Sequence, residues 1–342
     1  MKAVRIHEHG GVDVLKLETI DDPKPGPDEV LIEVKACAVN HLDLWVRRGI
    51  PGQRFPLPMT PGSDIAGVVR EVGSTVKGIR ARDRVVIQPG LSCHRCSSCL
   101  AGEDNLCRSY GIIGETRDGG CAELVVVPAI NIIPIRESLA FEEAAAVPLT
   151  FLTAWHMVVT RGGVRPGDDV LVHAGGSGVG SAAIQVAKLN GARVITTVGT
   201  DNKAQRAREL GADDTINHRK YDFYTEARKI TGKRGVDLVI DSVGADVWHK
   251  SIKLLKAGGR LVTCGVTSGF EVTTDIRYIF FRNLSILGST MGSKSELLHV
   301  MRLVERKVLK PVVDSVVPLD KVGEAHKRME ARKHFGKIVL KV

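Results

Sequence analysis

Residues 169–190 read DVLVHAGGSGVGSAAIQVAKLN, and this stretch decides the fold of the middle of the chain. A β-rich run at 170–173 is followed by a glycine turn at 175–180 and by a helical pattern from Ser181 to Leu189. Amide groups at a helix start can bind a pyrophosphate only where no Cβ blocks its approach. The context predicts a dinucleotide-binding turn, although Ser177 replaces one glycine of the G-x-G-x-x-G pattern and the turn alone is also compatible with an ordinary loop.

The same strand-and-helix unit repeats downstream of this turn. Helical segments are predicted near 201–211, 222–231 and 246–256, and they alternate with candidate strands at 194–197, 215–216, 237–240 and 260–263. Such alternation predicts a doubly wound parallel sheet that binds its ligand at the carboxyl ends of the strands. We therefore expect residues 151–286 to form an α/β dinucleotide-binding domain.

Residues 1–90 have a different pattern, with short β-rich runs at 30–36, 67–73 and 83–87 separated by glycine and proline, which is typical of a β-barrel. A length of 342 residues also favours two domains. The chain has no apolar run near the ~20 residues of a membrane span and does not open on a signal peptide, so we expect no membrane partner and a cytoplasmic location. The net charge of +9 is scattered, which favours a basic surface or an anionic cofactor over nucleic acid.

Four of the seven cysteines lie close together in the sequence, with the spacing C-x2-C-x2-C-x7-C. Without a secretory signal, such a cluster indicates a metal rather than disulfides. Four thiolates close a tetrahedral zinc site without an open position, so the zinc would be structural. An iron–sulfur cluster is the alternative, but the last gap does not fit the ferredoxin pattern. The expected ligands are Cys93, Cys96, Cys99 and Cys107.

Together, the β-rich first part, the cysteine cluster and the nucleotide domain resemble the medium-chain dehydrogenase/reductase superfamily along the whole chain. The resemblance implies that 287–342 join 1–150 in a GroES-like catalytic domain, with a zinc lobe at about 91–110, and that 151–286 form a Rossmann domain. It implies an active site in the cleft between the domains. It further implies a homodimer or homotetramer, because members often pair sheet strands, here 284–288, across a dimer.

Zinc alcohol dehydrogenases of this superfamily use a second, catalytic zinc, and this chain departs from their ligand pattern. The first cysteine ligand matches Cys37, but the histidine and glutamate positions read Ser63 and Asp64, and the second cysteine position falls at about Leu149. Serine and leucine are poor zinc ligands. An altered metal site formed by Cys37, His41 and Asp64 is the alternative.

The same region resembles the quinone-oxidoreductase branch instead. Asn40 matches the active-site asparagine of that branch, and residues 142–150 and Ser177 are also similar. By this resemblance, Asn40 donates a hydrogen bond to the substrate oxygen where negative charge develops. His41 is a candidate proton donor, and Asp64 is a candidate for either a catalytic or a structural role.

The residues after the second strand of the nucleotide domain indicate which dinucleotide is bound. Val198 takes the position where NAD-binding proteins carry an acidic residue, and Lys203 follows within a turn. Lysine attracts a 2′-phosphate, so we expect NADP(H), with NAD(H) as the alternative. By pattern or resemblance the other cofactor contacts are Thr153, Gly175, Ser177, Gly178, Val179, Gly180, Gly199, His218, Gly265, Leu287 and Lys337.

Three functions are compatible with these features. The leading hypothesis is an NADP(H)-dependent oxidoreductase that transfers hydride to a conjugated carbonyl or a quinone without a catalytic zinc. The second is a zinc-dependent alcohol dehydrogenase or ketone reductase with an altered metal site. The third is a non-enzymatic NADPH-binding protein.

Overall fold

The computed structural model describes all 342 residues, and the chain forms two compact units. The first unit consists of Met1–Leu149 and Ser293–Val342, and the second consists of Thr150–Gly292. The return to the first unit thus follows Gly292 rather than residue 286, because strand Ser285–Gly288 still pairs in the sheet of the second unit. None of the helices has the length and apolar character that a membrane crossing requires.

The first part of the chain is rich in strands and contains only short helices. Its short 3-10 turns are Val12–Val14, Asp104–Leu106 and Ala129–Asn131. Its strands and helices, in chain order, are β1 (Lys2–Arg5), β2 (Lys16–Thr19), β3 (Glu29–Ala38), α1 (His41–Arg48), β4 (Asp64–Val72), β5 (Arg84–Ile87), β6 (Gly90–Leu91), α2 (Ser97–Leu100), β7 (Gly111–Ile112), β8 (Leu124–Pro128), β9 (Ile132–Pro134) and α3 (Phe141–Ala145).

The second unit alternates strands and helices, as the sequence predicts. The helix that leads into it continues as a π-helical segment, His156–Arg161. The elements are α4 (Pro148–Trp155), β10 (Asp169–Val172), α5 (Gly178–Leu189), β11 (Arg193–Val198), α6 (Asp201–Glu209), β12 (Asp214–Asn217), α7 (Phe223–Ile230), β13 (Val236–Asp241), α8 (Ala245–Leu254), β14 (Leu255–Thr263), α9 (Arg277–Phe281) and β15 (Ser285–Gly288).

The chain then returns to the first unit and completes its sheet. The returning elements are α10 (Lys294–Glu305), β16 (Val313–Pro318), a 3-10 turn at Leu319–Lys321, α11 (Val322–Glu330) and β17 (Lys337–Lys341).

The main sheet of the first unit has the strand order β16-β17-β3-β4-β5-β9, and β8 also pairs with β3. Its core is aliphatic, and residues such as Ile32, Val34 and Ile65 are buried within it. Burial of each such side chain contributes roughly 1.5–3 kcal/mol. The register pairs Ala38 at the end of β3 with Asp64 on one side and with Val339 on the other. This pairing brings the end of β3 and the starts of β4 and β17 to one place.

The sheet of the second unit has the order β12-β11-β10-β13-β14-β15, and every strand pair in it is parallel. The predicted doubly wound parallel sheet is therefore confirmed. Its central strand β10 is completely buried at Val170, Leu171 and Val172, as expected for a sheet covered on both faces. The strand order reverses between β10 and β13, and open α/β sheets bind ligands at the carboxyl ends of the strands at such a point.

Candidate functional site

A buried polar cluster lies where β3, β4 and β17 meet in the first unit. The Nζ atom of Lys337 lies 2.9 Å from Oδ2 of Asp64 and also donates a hydrogen bond to Oδ1 of Asn40. The amide of Asn40 donates to Oδ2 of Asp64 at 2.9 Å and to the carbonyl oxygen of Ala38 at 3.3 Å. The backbone N–H of Leu149 donates to Oδ1 of Asp64 at 2.8 Å. We call Asn40, Asp64 and Lys337 the buried lysine cluster.

The cluster compensates the negative charge of the buried Asp64 carboxylate, which would otherwise be costly to remove from water. Asn40, Asp64 and Lys337 are all less than 5% exposed. A buried carboxylate is tolerated only when a cation and hydrogen-bond donors compensate for the lost water, and both are present around Asp64. These contacts bear on one expectation, since the resemblance implied Lys337 as a cofactor contact. Its ammonium group is committed to Asp64 and Asn40 instead.

Asp43 forms a second layer behind this cluster. Its Oδ2 accepts the backbone N–H of Asn40 at 2.6 Å, and its Oδ1 accepts the backbone N–H of Gly62 at 3.1 Å. Burial raises the pKa of Asp43 to about 6. The carboxyl group therefore fixes the start of α1 and the loop that precedes β4, so it positions both Asn40 and Asp64. Asp43 is not among the site residues that the sequence predicts.

The residues of the alternative metal site are not brought together by the fold. The Sγ atom of Cys37 lies 3.9 Å from the Sγ of Cys121, and a hydrogen bond to Cys121 together with burial raises the pKa of the Cys37 thiol well above its usual range. His41 begins α1, and its ring packs edge-on against Trp45 with the centroids 5.1 Å apart. Cys37, His41 and Asp64 do not form a group whose ligand atoms converge, whereas the four predicted cysteines do.

His41, the predicted proton donor, is neutral at physiological pH. Burial, together with the positive charges of Arg48 and Arg332, lowers the pKa of its imidazole to about 4. A neutral imidazole is a far weaker acid than an imidazolium ion. This electrostatic environment argues against His41 as a general acid.

The four predicted zinc ligands converge in the lobe that contains α2. The sulfur atoms of Cys93, Cys96, Cys99 and Cys107 all lie within 4.8 Å of one another. Two of the separations are 3.5 Å (Cys96 to Cys99) and 4.0 Å (Cys93 to Cys99). Four sulfurs at 2.3 Å from a tetrahedral zinc would lie about 3.8 Å apart, so the arrangement fits this metal.

Backbone groups of the lobe lower the pKa of Cys93 and Cys96, whereas burial raises the pKa of Cys99 to about 11. Hydrogen bonds from the backbone of Arg95 and Cys96 lower the pKa of Cys93 to about 6. The backbone N–H groups of Cys93 and Ser109 both donate to the sulfur of Cys107 at 3.4 Å. Donors of this kind orient metal-bound ligands and stabilise their negative charge. The lobe therefore fits a structural zinc held by four cysteines.

The glycine turn of the second unit has the shape that a phosphate needs. Ser177 caps α5, because its Oγ accepts the backbone N–H of Gly180 at 2.9 Å. The helix consequently begins at Gly178, earlier than the predicted Ser181, and Gly178 and Val179 present their amides at its first turn. A Cβ on Gly180 would lie 2.2 Å from the carbonyl oxygen of Ala174, so only glycine fits there.

The end of β11 lies beside a group of basic side chains. Val198 is buried, and Thr200 caps α6 by accepting the backbone N–H of Lys203 at 3.2 Å. A Cβ built on Gly199 would lie 3.5 Å from Nε2 of His218 and 3.6 Å from Nε of Arg219. Gly199, Lys203 and His218 were predicted, whereas Arg219 was missed, although it directly follows His218 in the sequence.

The remaining predicted cofactor residues are Thr153 in α4, Gly265 in the loop after β14 and Leu287 in β15. Thr153 is buried in α4, and its hydroxyl lies 4.0 Å from the sulfur of Met291. Gly265 follows β14, and Leu287 lies in β15, both near the carboxyl ends of these strands. These positions agree with a ligand bound along that edge of the sheet.

Comparison with known proteins identifies the family. A family model described as "Alcohol dehydrogenase GroES-like domain" matches residues 26–137, and one described as "Zinc-binding dehydrogenase" matches residues 178–306. Quinone oxidoreductase of Homo sapiens is 32% identical over 336 residues, which cover 96% of this chain and 94% of that protein. Acryloyl-coenzyme A reductase of Sulfurisphaera tokodaii is 32% identical over 328 residues, which cover 95% of this chain and 96% of that protein.

A solved crystal structure of an NAD-dependent alcohol dehydrogenase is 53% identical and superimposes with a TM-score of 0.96 over 100% of both chains. The chain therefore belongs to the medium-chain dehydrogenase/reductase superfamily. It is an oxidoreductase of the kind that uses a nicotinamide dinucleotide and a small-molecule substrate.

Proposed function

We propose that this enzyme uses NADPH to reduce a conjugated carbonyl compound or a quinone, without a metal in the reacting site. The single observation that carries the proposal is that both carboxylate oxygens of Asp64 already have partners within the protein. Both of its oxygens are already occupied, by the backbone N–H of Leu149 on one side and by Asn40 and Lys337 on the other. A carboxylate that holds a built-in ammonium group has no need of a metal cation, and a metal would have to displace Lys337.

The neighbouring side chains support the same conclusion. A zinc site needs three or four donors that converge within bonding distance. The Sγ atom of Cys37 lies 3.9 Å from the Sγ of Cys121, and no histidine and carboxylate converge with it to complete such a set. By the resemblance to zinc alcohol dehydrogenases, Ser63 takes the position of their histidine ligand, and Leu149 falls at about the position of their second cysteine ligand.

A nicotinamide dinucleotide held at the glycine turn would supply the hydride that reduces an electron-poor carbon of the substrate. Asn40 is the residue we assign to the substrate oxygen where negative charge develops. Its Oδ1 accepts from Lys337, which polarises the amide and strengthens its N–H groups as donors. One N–H donates to Asp64 at 2.9 Å, whereas the other makes a long 3.3 Å bond to the carbonyl oxygen of Ala38 and is the donor that we assign to the substrate oxygen. Because His41 is neutral, we assign the proton to solvent water.

The basic group beside Gly199 supports NADPH as the preferred cofactor. The side chains of His218 and Arg219 lie beside Gly199, and Lys203 lies in the first turn of α6. The apolar Val198 takes the position where an acidic residue would repel a 2′-phosphate. Asp201, the nearest carboxylate in sequence, is bound by Asn217 at 2.8 Å and by Lys220 at 2.6 Å.

This cofactor choice can be measured directly. Arg219→Ala should raise the KM for NADPH about tenfold, equivalent to about 1.4 kcal/mol, and leave the KM for NADH unchanged. Lys229→Ala, which removes an exposed cation on α7, is the matched control. An equal effect of Arg219→Ala on both cofactors would contradict a role in binding the 2′-phosphate.

A zinc-dependent alcohol dehydrogenase is the second candidate. The name of the 53% identical structure, an NAD-dependent alcohol dehydrogenase, favours it. The two candidates differ in metal content, in cofactor and in the carbon that receives hydride. The buried lysine cluster and the basic group beside Gly199 support the first.

The decisive experiment combines metal analysis with a labelled assay of the purified enzyme. We expect one zinc per chain, NADPH oxidation with enones or quinones, and transfer of deuterium from 4-deuterated NADPH to the β-carbon of an enone. Asn40→Ala should lower kcat about 100-fold, the usual loss of one donor to a developing oxyanion. Asn131→Ala removes another buried asparagine of the same unit and is the control. Two zincs per chain with oxidation of alcohols by NAD⁺ would overturn the proposal.

We also propose a homodimer or homotetramer. β15 ends the sheet of the second unit and pairs only with β14, which leaves its other edge available for a second copy. Sedimentation equilibrium should give two or four chains per particle, and a monomer at micromolar concentration would contradict this.

A further inference from the structure

A buried histidine lies directly before the glycine turn, and no part of the proposed reaction uses it. His173 follows β10 and is 1% exposed. Its Nε2 lies 2.9 Å from Oγ of Ser251 in α8, and its Nδ1 lies 3.2 Å from Oγ1 of Thr197 in β11. Its ring packs edge-on against Phe223, with the centroids 4.8 Å apart. Burial lowers the pKa of the imidazole to about 3, so the ring is neutral.

The neighbours of this ring determine which of its nitrogens carries the hydrogen. Ser251 donates its hydroxyl hydrogen to the carbonyl oxygen of Val247 at 2.7 Å, so its oxygen must accept from Nε2. Nδ1 is then an acceptor and receives the hydroxyl hydrogen of Thr197. In the other tautomer Nδ1 would donate to Thr197 and leave the hydroxyl hydrogen of this buried threonine without an acceptor. The Nε2–H tautomer satisfies every polar group.

The chain of hydrogen bonds ends at the glycine turn itself. Oγ1 of Thr197 accepts a hydrogen bond from the backbone N–H of Ala174 at 3.1 Å. The carbonyl oxygen of Thr197 accepts one from the backbone N–H of Gly175 at 2.9 Å. Ala174 has φ +52°, a left-handed conformation that is unfavourable for a residue with a side chain. Its carbonyl oxygen accepts the backbone N–H of Ser177 at 2.8 Å and closes the turn.

We propose that His173 is a positioning residue for the dinucleotide. Through Thr197 it fixes the strained backbone of Ala174, and through Ser251 it anchors the turn to α8, so that the amides of the turn are preorganised for the pyrophosphate. A fully satisfied buried network of this kind holds one geometry, and partial loss releases it. The inference rests on the proposed cofactor site at the glycine turn and is independent of the metal question.

Ser251→Ala gives the sharpest test, because Ser251 does not contact the turn and can act on it only through His173. We expect this variant to raise the Kd for NADPH about fivefold and to leave kcat at saturating NADPH unchanged. Thr197→Val should raise the Kd further, and Thr197→Ser, which keeps the hydroxyl, should restore it. Thr231→Val is the matched control, since it removes a buried hydroxyl of the second unit that bonds to Ala227 and Gly235 and should destabilise the fold without changing the Kd.

The tautomer is a second, independent readout. Nitrogen-15 NMR of histidine-labelled enzyme should show a neutral ring for His173 with the hydrogen on Nε2, and Ser251→Ala should perturb that resonance. A wild-type Kd in Ser251→Ala, or a hydrogen on Nδ1, would overturn the inference. If the unmodified enzyme bound neither NADPH nor NADH, the proposed function would fail instead, and the two failures are therefore distinguishable.

Discussion

The first unit holds two clusters of metal-binding residue types, and they are built in opposite ways. In the lobe, four sulfur atoms converge within 4.8 Å of one another, and backbone N–H groups donate hydrogen bonds to the sulfur of Cys107. In the buried lysine cluster a single carboxylate is surrounded by donors, one of which is the ammonium group of Lys337. The first cluster directs four ligand atoms towards one point, whereas the second contains its own cation, the ammonium group of Lys337.

The comparison shows why residue type alone does not define a metal site. Cys37 and Asp64 are both capable ligands, yet Cys37 faces Cys121 and Asp64 faces Lys337. Negative donors that converge without a counter-charge repel one another unless a metal is bound. A carboxylate paired with lysine needs no metal for its burial to be tolerated. The predictions below test this contrast.

The largest effect is expected in the lobe. Cys96→Ala removes one of four ligands, and we expect loss of the zinc and of about 5 kcal/mol of stability, because structural zinc contributes its binding energy to folding. The unfolding midpoint should fall by about 10–20 °C in scanning calorimetry. Cys264→Ala, which removes a half-buried lone thiol of the second unit, is the control and should keep one zinc per chain. Retention of zinc by Cys96→Ala would contradict a four-cysteine site.

Removal of the built-in cation should be nearly as severe. Lys337→Met leaves the carboxylate of Asp64 buried without its counter-charge, which should cost about 3–5 kcal/mol in urea unfolding. The double variant Lys337→Met with Asp64→Asn removes both charges and should recover most of the loss. If the single and double variants were equally unstable, the ion pair would not explain the burial of Lys337.

The lobe and the glycine turn could be predicted from the sequence, but the buried lysine cluster could not. Both predicted features are local, because their side chains or amides lie within about fifteen positions of one another. Asn40 and Lys337 are 297 positions apart, and only the pairing of β17 with β3 brings them together. Resemblance placed Lys337 at the cofactor, and it could not show that Asp64 binds its ammonium group.

Smaller differences also have physical causes. α5 begins at Gly178 although glycine is a poor helix former, because Ser177 caps the amide of Gly180. Arg219 was missed because its role depends on the loop after β12 lying against Gly199, which the sequence pattern does not show.

A third prediction concerns the layer behind the lysine cluster. Burial raises the pKa of Asp43 in the folded chain to about 6, against about 3.9 when unfolded, so the folded state binds this proton more tightly. The tighter binding of this proton adds to the free energy of unfolding. The added stability is fully present below about pH 4 and is lost as the pH rises through 6, and it amounts to at most about 3 kcal/mol. Asp43→Asn should flatten the dependence of unfolding free energy on pH between 4 and 6. Asp28→Asn, which removes an exposed carboxylate from the same unit, is the control.

The smallest effect is expected for Cys37→Ala. This variant tests most directly whether the lobe alone binds metal. If Cys37 is only a buried thiol packed against Cys121, then Cys37→Ala should cost about 1–2 kcal/mol through the small cavity it leaves. Zinc content should stay at one per chain, and kcat should change by less than about threefold. Both follow because, on this premise, Cys37 neither binds a metal nor contacts the substrate. Cys121→Ala removes the facing thiol and should behave alike. Zinc analysis of Cys37→Ala and Cys96→Ala side by side decides the matter, since a loss of zinc in both would make Cys37 a metal ligand.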